Sequence, residues 1–233
     1  MDLPQHVAII MDGNRRWAEK KKLPKVMGHR AGLDAVEAII KDCVKSGIKI
    51  LTLYAFSSEN WKRPKAEVNV LLSLFAKNIK TKFEELHKNN IRINAIGRID
   101  EFPDPIKDAI KKYIQKSSAN TGMMVTFALN YGARQEIVDA VRTVFTESKK
   151  RDLDVSSLNE KSFGKFLYGG SSGLCDPDLI IRTGGEMRLS NFLLWQAAYS
   201  EIYVTDTLWP DFNKKELEKA FGEYAKRSRR FGE

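Results

Sequence analysis

The sequence predicts an α/β fold: a mostly parallel central sheet flanked by helices, in a single domain spanning residues 1–233. Three observations carry that reading. Short apolar runs recur along the chain and are continuous rather than alternating, as strands covered on both faces should be. Between these runs apolar residues return every three or four positions, the spacing of an amphipathic helix. No repeat, low-complexity tract or composition break divides the 233 residues. With 42% hydrophobic and 30% charged residues, the chain is an ordinary globular mixture, long enough to bury a substantial core.

In chain order, Val7 to Met11 is the first predicted strand, followed by a polar turn and a helix that begins near Arg15. Leu33, Val36, Ile40 and Cys43 stripe the next helix. Ile48 to Ala55 is a second strand. Val68, Leu71, Leu72, Phe75, Ile79, Phe83 and Leu86 stripe a long helix after it. Ile91 to Ile96 follows as a strand, then a helix on Ile106, Ile110, Tyr113 and Ile114. Met123 to Leu129 is the fourth strand, and Ile137, Val141, Val144 and Phe145 are the expected core face of the helix behind it. Lys149 to Asp176 is the least regular part, with "YGGSSGLCDPD" as its loosest piece. Leu179 to Ile181 is a fifth strand, and Leu217, Ala220, Phe221 and Tyr224 stripe the last helix.

In such a fold ligands bind beyond the carboxyl ends of the strands. Three polar clusters fall at those ends: "DGNRRW", "FSSENWKRP" and "RTGGEMRLSN". Parallel strands would bring all three to one edge of the sheet. The formal charge of +9 points to an anionic partner, whether nucleic acid, phosphorylated metabolite or membrane surface. Aromatic-rich RNA-binding signatures are missing and the basic residues gather with glycines, so no nucleic-acid partner is expected.

Cys43 and Cys175 form no paired or metal-binding spacing, which suits a reducing compartment. No stretch approaches the roughly 20 apolar residues of a spanning helix, and the start does not read as a signal peptide. A cytoplasmic protein, at most peripheral to a membrane, is expected.

The clusters have a definite chemistry. Gly13 permits a tight turn, Asn14 tolerates unusual dihedrals, and a helix starting near Arg15 turns free N–H groups toward an anion. Arg16 adds a bidentate clamp. Asp12 would repel a diphosphate unless a divalent cation lies between them, and Mg²⁺ is typically held by one or two carboxylates plus substrate phosphates. Lys25 and His29 extend the cationic rim, while Lys20, Lys21 and Lys22 read as a solvated face. Ser57, Ser58, Asn60 and Arg63 supply polar groups beside Trp61, an apolar wall of the kind an amphiphile needs. Arg182, Arg188 and Ser190 around a glycine pair describe a second anion site. Glu201 could be a second metal ligand or a surface residue. The phosphate-binding P-loop, the dinucleotide fingerprint, the zinc-protease helix and the nucleophile elbow are all absent, as is the D-D-x-x-D of all-helical prenyl diphosphate synthases.

"HVAIIMDGNRRWA", "GHRAG", "LTLYAFSSENWKRP", "NYGARQEI" and "DLIIRTGGEMRLSNFLLWQAAYSEIYVTDTLWPDF" closely resemble the motifs of the cis-prenyltransferases, in particular the bacterial undecaprenyl diphosphate synthases. The resemblance runs from about His6 to Gly232. It implies helices framing a hydrophobic tunnel, a homodimer, a requirement for Mg²⁺, and farnesyl diphosphate and isopentenyl diphosphate as substrates. The product would be a long polyprenyl diphosphate for the lipid carrier of cell-wall synthesis, bringing peripheral contact with membrane; the alternative is a shorter-chain cis-prenyl diphosphate.

By the same resemblance Asp12 acts with Mg²⁺ at the diphosphates. Gly13, Asn14, Arg15, Arg16, Lys25 and His29 cradle the allylic diphosphate, with Trp17 on the flank. Ser57, Ser58, Glu59, Trp61 and Arg63 form a loop that contacts substrate, and Asn60 helps to remove the proton. Arg182, Arg188, Leu189 and Ser190 hold isopentenyl diphosphate, Glu201 is the second metal-associated acid, and Arg230 and Gly232 reach a partner subunit's site. Arg15, Lys25 and Met187 depart from the commoner Gly, Arg and His. The helix from Val68 to Leu86 becomes a tunnel wall, with Ala55 and Met123 near the tunnel.

Overall fold

The computed structural model describes residues 2–150, 153–170 and 172–228. Its centre is one six-stranded sheet in the order β3-β4-β2-β1-β5-β6. The strands are β1 (His6–Ile10), β2 (Ile50–Ser57), β3 (Arg92–Ile96), β4 (Met124–Tyr131), β5 (Leu179–Arg182) and β6 (Glu201–Val204). Every pairing is parallel. The five predicted strands are all present, with ends displaced by a residue or two. β6 was not anticipated. It is four residues long and half-exposed at the sheet edge, too short for its pattern to register.

Seven helices are described: α1 (Asn14–Lys20), α2 (Lys25–Lys45), α3 (Lys65–Lys88), α4 (Asp104–Lys116), α5 (Ala133–Lys149), α6 (Glu160–Gly164) and α7 (Lys214–Lys226). Alternate residues of β1 point to opposite faces, as the pleat requires. Val7 and Ile9 join the larger core under α2, α3, α4 and α7, which includes Ile39, Phe83, Ile110 and Phe221. Ala8 and Ile10 join a smaller core with Tyr131, Ala133, Phe192 and Leu193. The sheet is therefore covered on both faces, which explains the continuous apolar runs.

The expected face of α5 is corrected in part. Val144 is buried as expected and Ile137 is half-buried, but Val141 and Phe145 are 53% and 59% exposed, and Ala133, Glu136 and Ala140 face inward instead. Glu136 turns the helix. Its carboxylate accepts the Tyr131 hydroxyl at 2.5 Å, the Tyr168 N–H at 3.0 Å and the Gln196 amide at 3.2 Å. A buried carboxylate needs such partners, and they lie on that side only. Burial pushes its pKa up despite them.

Among the described residues no helix is long and apolar enough to cross a membrane.

Candidate active site

β1 lies between β2 and β5, and the three polar clusters follow these three adjacent strands. The chain leaves β1 toward β2 on one side and reaches β5 on the other only later, so the β1/β5 boundary is a switch point of the topology.

Beyond β1 the backbone turns sharply. The Asp12 N–H donates to the Ile10 carbonyl at 3.0 Å, and Gly13 takes φ +112°, a conformation that excludes most side chains. A Cβ there would also meet the Leu208 side chain at 2.8 Å. The Asp12 carbonyl accepts from the Thr183 hydroxyl at 2.7 Å and the Trp209 N–H at 2.9 Å, which fixes the turn against the segments after β5 and β6.

The Asp12 carboxylate then meets two guanidinium groups. Its Oδ2 lies 2.8 Å from Arg182 Nη2 and its Oδ1 3.2 Å from Arg16 Nη2. Arg182 is only 5% exposed and is the hub of the site. Its Nη1 donates to Ser190 Oγ at 2.8 Å and to the Arg188 carbonyl. Arg16 also donates to the Gly184 carbonyl at 2.7 Å. Residues 170 positions apart thus share one cluster.

Arg188 reaches outward, its side chain 60% exposed and paired with Glu186 at 2.6 Å. Leu189 packs against the smaller core. Gly184 and Gly185 take positive φ freely, but Ser190, Asn191 and Leu193 also have positive φ, so this loop stores strain that its hydrogen bonds must hold.

The second loop is built as a cap. The Asn60 amide oxygen accepts the Ser57 N–H at 3.1 Å, closing a capping box over the 3₁₀ turn Ser58–Lys62. Asn191 donates to Glu59 at 2.8 Å and so joins the second loop to the third. Burial pushes the Glu59 carboxyl up, but hydrogen bonds led by that from Asn191 outweigh it and leave the pKa below its ordinary value. The Trp61 ring packs on Phe56 and Phe102, and its N–H donates to Asn130 at 2.7 Å. Arg63 pairs with Glu67 at 3.0 Å, and Arg15 stands 3.9 Å from the same carboxylate.

At the first turns of α2, His29 Nε2 is buried without a partner, and so is Asn14 Oδ1 beside it on α1. Burial, then the positive Arg63 and Arg15, hold the His29 pKa below its usual value. An anion here would offset the positive charge of Arg63 and Arg15 and give a protonated His29 an acceptor. Lys25 is exposed at the rim. Trp17 lies on the flank, its N–H bonded to Asp211 at 2.7 Å.

Glu201 is not brought to this cluster. It opens β6, in register with Leu179 and Val7, whereas Asp12 follows the opposite end of β1. Within the chain Glu201 pairs with Arg227 at 2.6 Å instead. Arg230 and Gly232 lie outside the described residues.

The donor set fits a cation that brings its own phosphate ligands. Asp12 is a partly exposed carboxylate among arginines, and no group of three or more His, Cys, Asp or Glu able to form an all-protein cage occurs among the described residues.

Next to the site, α2 and α3 enclose a cavity of about 1080 Å³. It begins at Val26, Met27 and Arg30, which flank His29 in sequence, and runs past Ile40, Phe75, Ile79 and Phe83 to Ile91 and Phe127. α3 is a wall, as expected. Ala55 is exposed and does not line the cavity, while Met123 packs in the core with the lining residues Ile40, Phe83 and Ile91 without lining it itself.

Several residues at the site carried no signal of their own in the sequence. Thr183, Glu186, Asn130 and Asn191 are visible only through their contacts. Glu67, in the first turn of α3, is likewise visible only through its contact with Arg63.

Comparison with known proteins agrees with this geometry. The prenyltransferase family model of undecaprenyl diphosphate synthases matches residues 10–232. A Clostridium perfringens protein named isoprenyl transferase is 50% identical over 230 residues, covering 99% of this chain and 90% of the relative. The solved structure of lavandulyl diphosphate synthase from Lavandula x intermedia, in complex with dimethylallyl diphosphate, superposes with a TM-score of 0.96 at 37% identity and covers 99% of both chains. A probable undecaprenyl diphosphate synthase from Campylobacter jejuni superposes with a TM-score of 0.82 at 34% identity over the full length of both. An arginine–aspartate hub on a parallel sheet, opening beside a long apolar cavity, thus belongs to a prenyltransferase, and the chain is a member of the cis-prenyltransferase family of undecaprenyl diphosphate synthase type.

Proposed function

We propose that the protein elongates an allylic diphosphate with isopentenyl diphosphate in the cis configuration, releasing diphosphate and making a long polyprenyl diphosphate. The observation that carries this reading is the cavity. At about 1080 Å³ it matches the upper end of the roughly 300–1,000 Å³ usual for small-molecule sites, and it begins at Val26, Met27 and Arg30, next in sequence to His29.

The primer, farnesyl diphosphate in this reading, sets its diphosphate on Arg16, His29, Lys25 and the N–H groups that follow Gly13. Its tail enters between α2 and α3. Asp12 would hold Mg²⁺, which when bound offsets the negative charge of the departing diphosphate. Arg16 stabilises that charge as it builds. Arg182 holds Ser190 and the Arg188 backbone in place, and the outward Arg188 guanidinium grips the diphosphate of isopentenyl diphosphate. Its double bond then faces the allylic carbon, and this positioning supplies much of the rate. Asn60 and the second loop border the carbon that loses its proton, and Trp61 screens the pocket from water. Repeated addition slides the chain down the cavity.

The wider reading is a cytoplasmic homodimer in which the Arg230 and Gly232 segment of one copy completes the other's site. It touches the membrane through its lipid product, which serves as the carrier for cell-wall synthesis. A shorter product is the second reading, favoured by the close superposition on lavandulyl diphosphate synthase; the cavity volume favours the longer one.

The test is incubation with labelled isopentenyl diphosphate and primers of five, ten and fifteen carbons, followed by sizing of the products. A ladder ending at a defined long chain is expected with the fifteen-carbon primer, stopped by EDTA and restored by Mg²⁺. Products that end after one addition would establish the second reading, and activity that persists in EDTA would remove the metal.

A further inference from the structure

We infer that Glu37, Lys41, Lys82 and Glu85 form an ion-pair clasp across the solvent side of the cavity, and that this clasp helps to set the length of chain the cavity accepts. The inference rests on the reading that a growing prenyl chain occupies this cavity.

All four residues line the cavity, Glu37 and Lys41 from α2 and Lys82 and Glu85 from α3. Glu37 divides its two oxygens. Oε1 accepts from Lys41 at 2.6 Å, and Oε2 accepts directly from Lys82 on the facing helix. Glu85 stands 3.8 Å from each lysine. Each ammonium therefore sits between two carboxylates, and each helix contributes one of either sign.

The cavity interior beside the clasp is apolar, with Ile40, Ile79 and Phe83 alongside it. The groups are strongly engaged. Hydrogen bonds from Lys41 and then Lys82 hold the Glu37 carboxyl below its ordinary pKa, and Glu37 raises Lys82.

Position gives the clasp its consequence. Glu37 lies 12 residues into α2 from Lys25, about 18 Å of helix from the phosphate end. A chain therefore grows well into the cavity before it passes between these side chains, and the cavity continues beyond them to Leu86, Asn89 and Ile91. While the clasp is closed, a chain that fills the space behind it meets a wall and stops. When it is open, the chain end threads out between α2 and α3 and further units are added. The side chains are 28% to 56% exposed, so solvent screens the pairs. Surface pairs of this kind are weak enough to part.

The test is the product-length distribution of Lys82→Met, compared with wild type and Lys82→Arg at matched turnover. Lys82→Met keeps the apolar stem and removes the charge. Its dominant product is expected to be longer by at least one five-carbon unit, with a several-fold broader spread. Lys82→Arg should keep the wild-type length. Wild type in 1 M salt should move toward the Lys82→Met pattern, because screening weakens exposed pairs. Glu85→Gln provides the same reading if Lys82→Met does not fold. An unchanged or shorter distribution in these variants, with wild type making a defined long chain, overturns the clasp. Failure of wild type to make any polyprenyl chain overturns the functional reading, and the clasp with it.

Discussion

Asp12 and Arg182 hold the site together, and each is replaceable at a different cost. Asp12 is partly exposed and binds Arg16 as well as Arg182, while Arg182 is buried but keeps Ser190 and the Arg188 carbonyl as acceptors. Asp12→Ala leaves the buried Arg182 guanidinium with neutral acceptors and without its carboxylate, so some stability is lost. Turnover is expected to fall by about a hundredfold or more, while circular dichroism keeps the wild-type form and Tm is lowered. Near-normal turnover would remove Asp12 from the metal. Arg188 is different, because its guanidinium is exposed and pairs with Glu186 at the surface. Arg188→Ala is expected to raise the KM for isopentenyl diphosphate by roughly ten- to a hundredfold, the value of a charge-assisted hydrogen bond. The KM for the primer should move little; an equal rise in both would mean that the two diphosphate sites are wrongly divided.

At the scale of elements, the decisive contact is that between α1 and α2. Gly28 faces α1 so closely that a Cβ would lie 2.0 Å from the Asn14 carbonyl oxygen, and a Cβ on Gly32 would lie 2.2 Å from the Asn14 side chain. Backbone cannot yield as a side-chain tip can. Gly28→Ala is expected to cost roughly 1–3 kcal/mol of stability, the usual range for an overpacked contact. It should also raise the primer KM, because moving α1 displaces Asn14 and Arg16 from His29. Urea unfolding and primer titration would check the two effects, and an unchanged primer KM would separate α1 from primer binding. The third loop shows the same dependence on neighbours. Its left-handed Ser190, Asn191 and Leu193 are held by Arg182, Glu59 and the smaller core.

Over the whole molecule, the two edges of the sheet differ. The carboxyl edge gathers the three polar clusters. The opposite edge is tied by His6, which is fully buried, donates from Nδ1 to the Cys175 carbonyl at 2.8 Å and accepts the Thr52 hydroxyl at Nε2, also at 2.8 Å. Burial pushes its pKa from 6.5 to about 4. Above pH 6.5 the imidazole is neutral whether the chain is folded or not. Below that the unfolded chain takes up a proton that the folded one refuses, so stability falls as pH falls, down to about pH 4. The loss attributable to His6 at pH 4.5 is about 2–3 kcal/mol. His29, also lowered, acts in the same direction. Urea unfolding at pH 7.5 and 4.5 should show a smaller drop for His6→Gln than for wild type; equal drops would rule out His6 as a source of acid sensitivity.

Much of this was legible before any coordinates. Continuous apolar runs identified five strands, because strands covered on both faces carry no polar alternation. Glycines and cations after those strands identified the clusters, because parallel strands deliver their ends to one edge. What remained hidden depends on contacts between distant parts of the chain. β6 is too short to show a pattern. Glu136 reads as a surface acid until Tyr131, Tyr168 and Gln196 surround it, and α5 then buries Glu136 and Ala140 with Val144 while Val141 and Phe145 face solvent. Glu201 and Asp12 read as a pair of acids, yet the register of β1, β5 and β6 sets them at opposite edges. The sequence by itself determined the fold class, the three clusters and the family. Tertiary structure decided which groups touch, that Arg182 joins Asp12 to Ser190, and where the cavity runs. Residue type and spacing are local properties, whereas a charge network and an enclosed volume exist only once strands and helices are packed together.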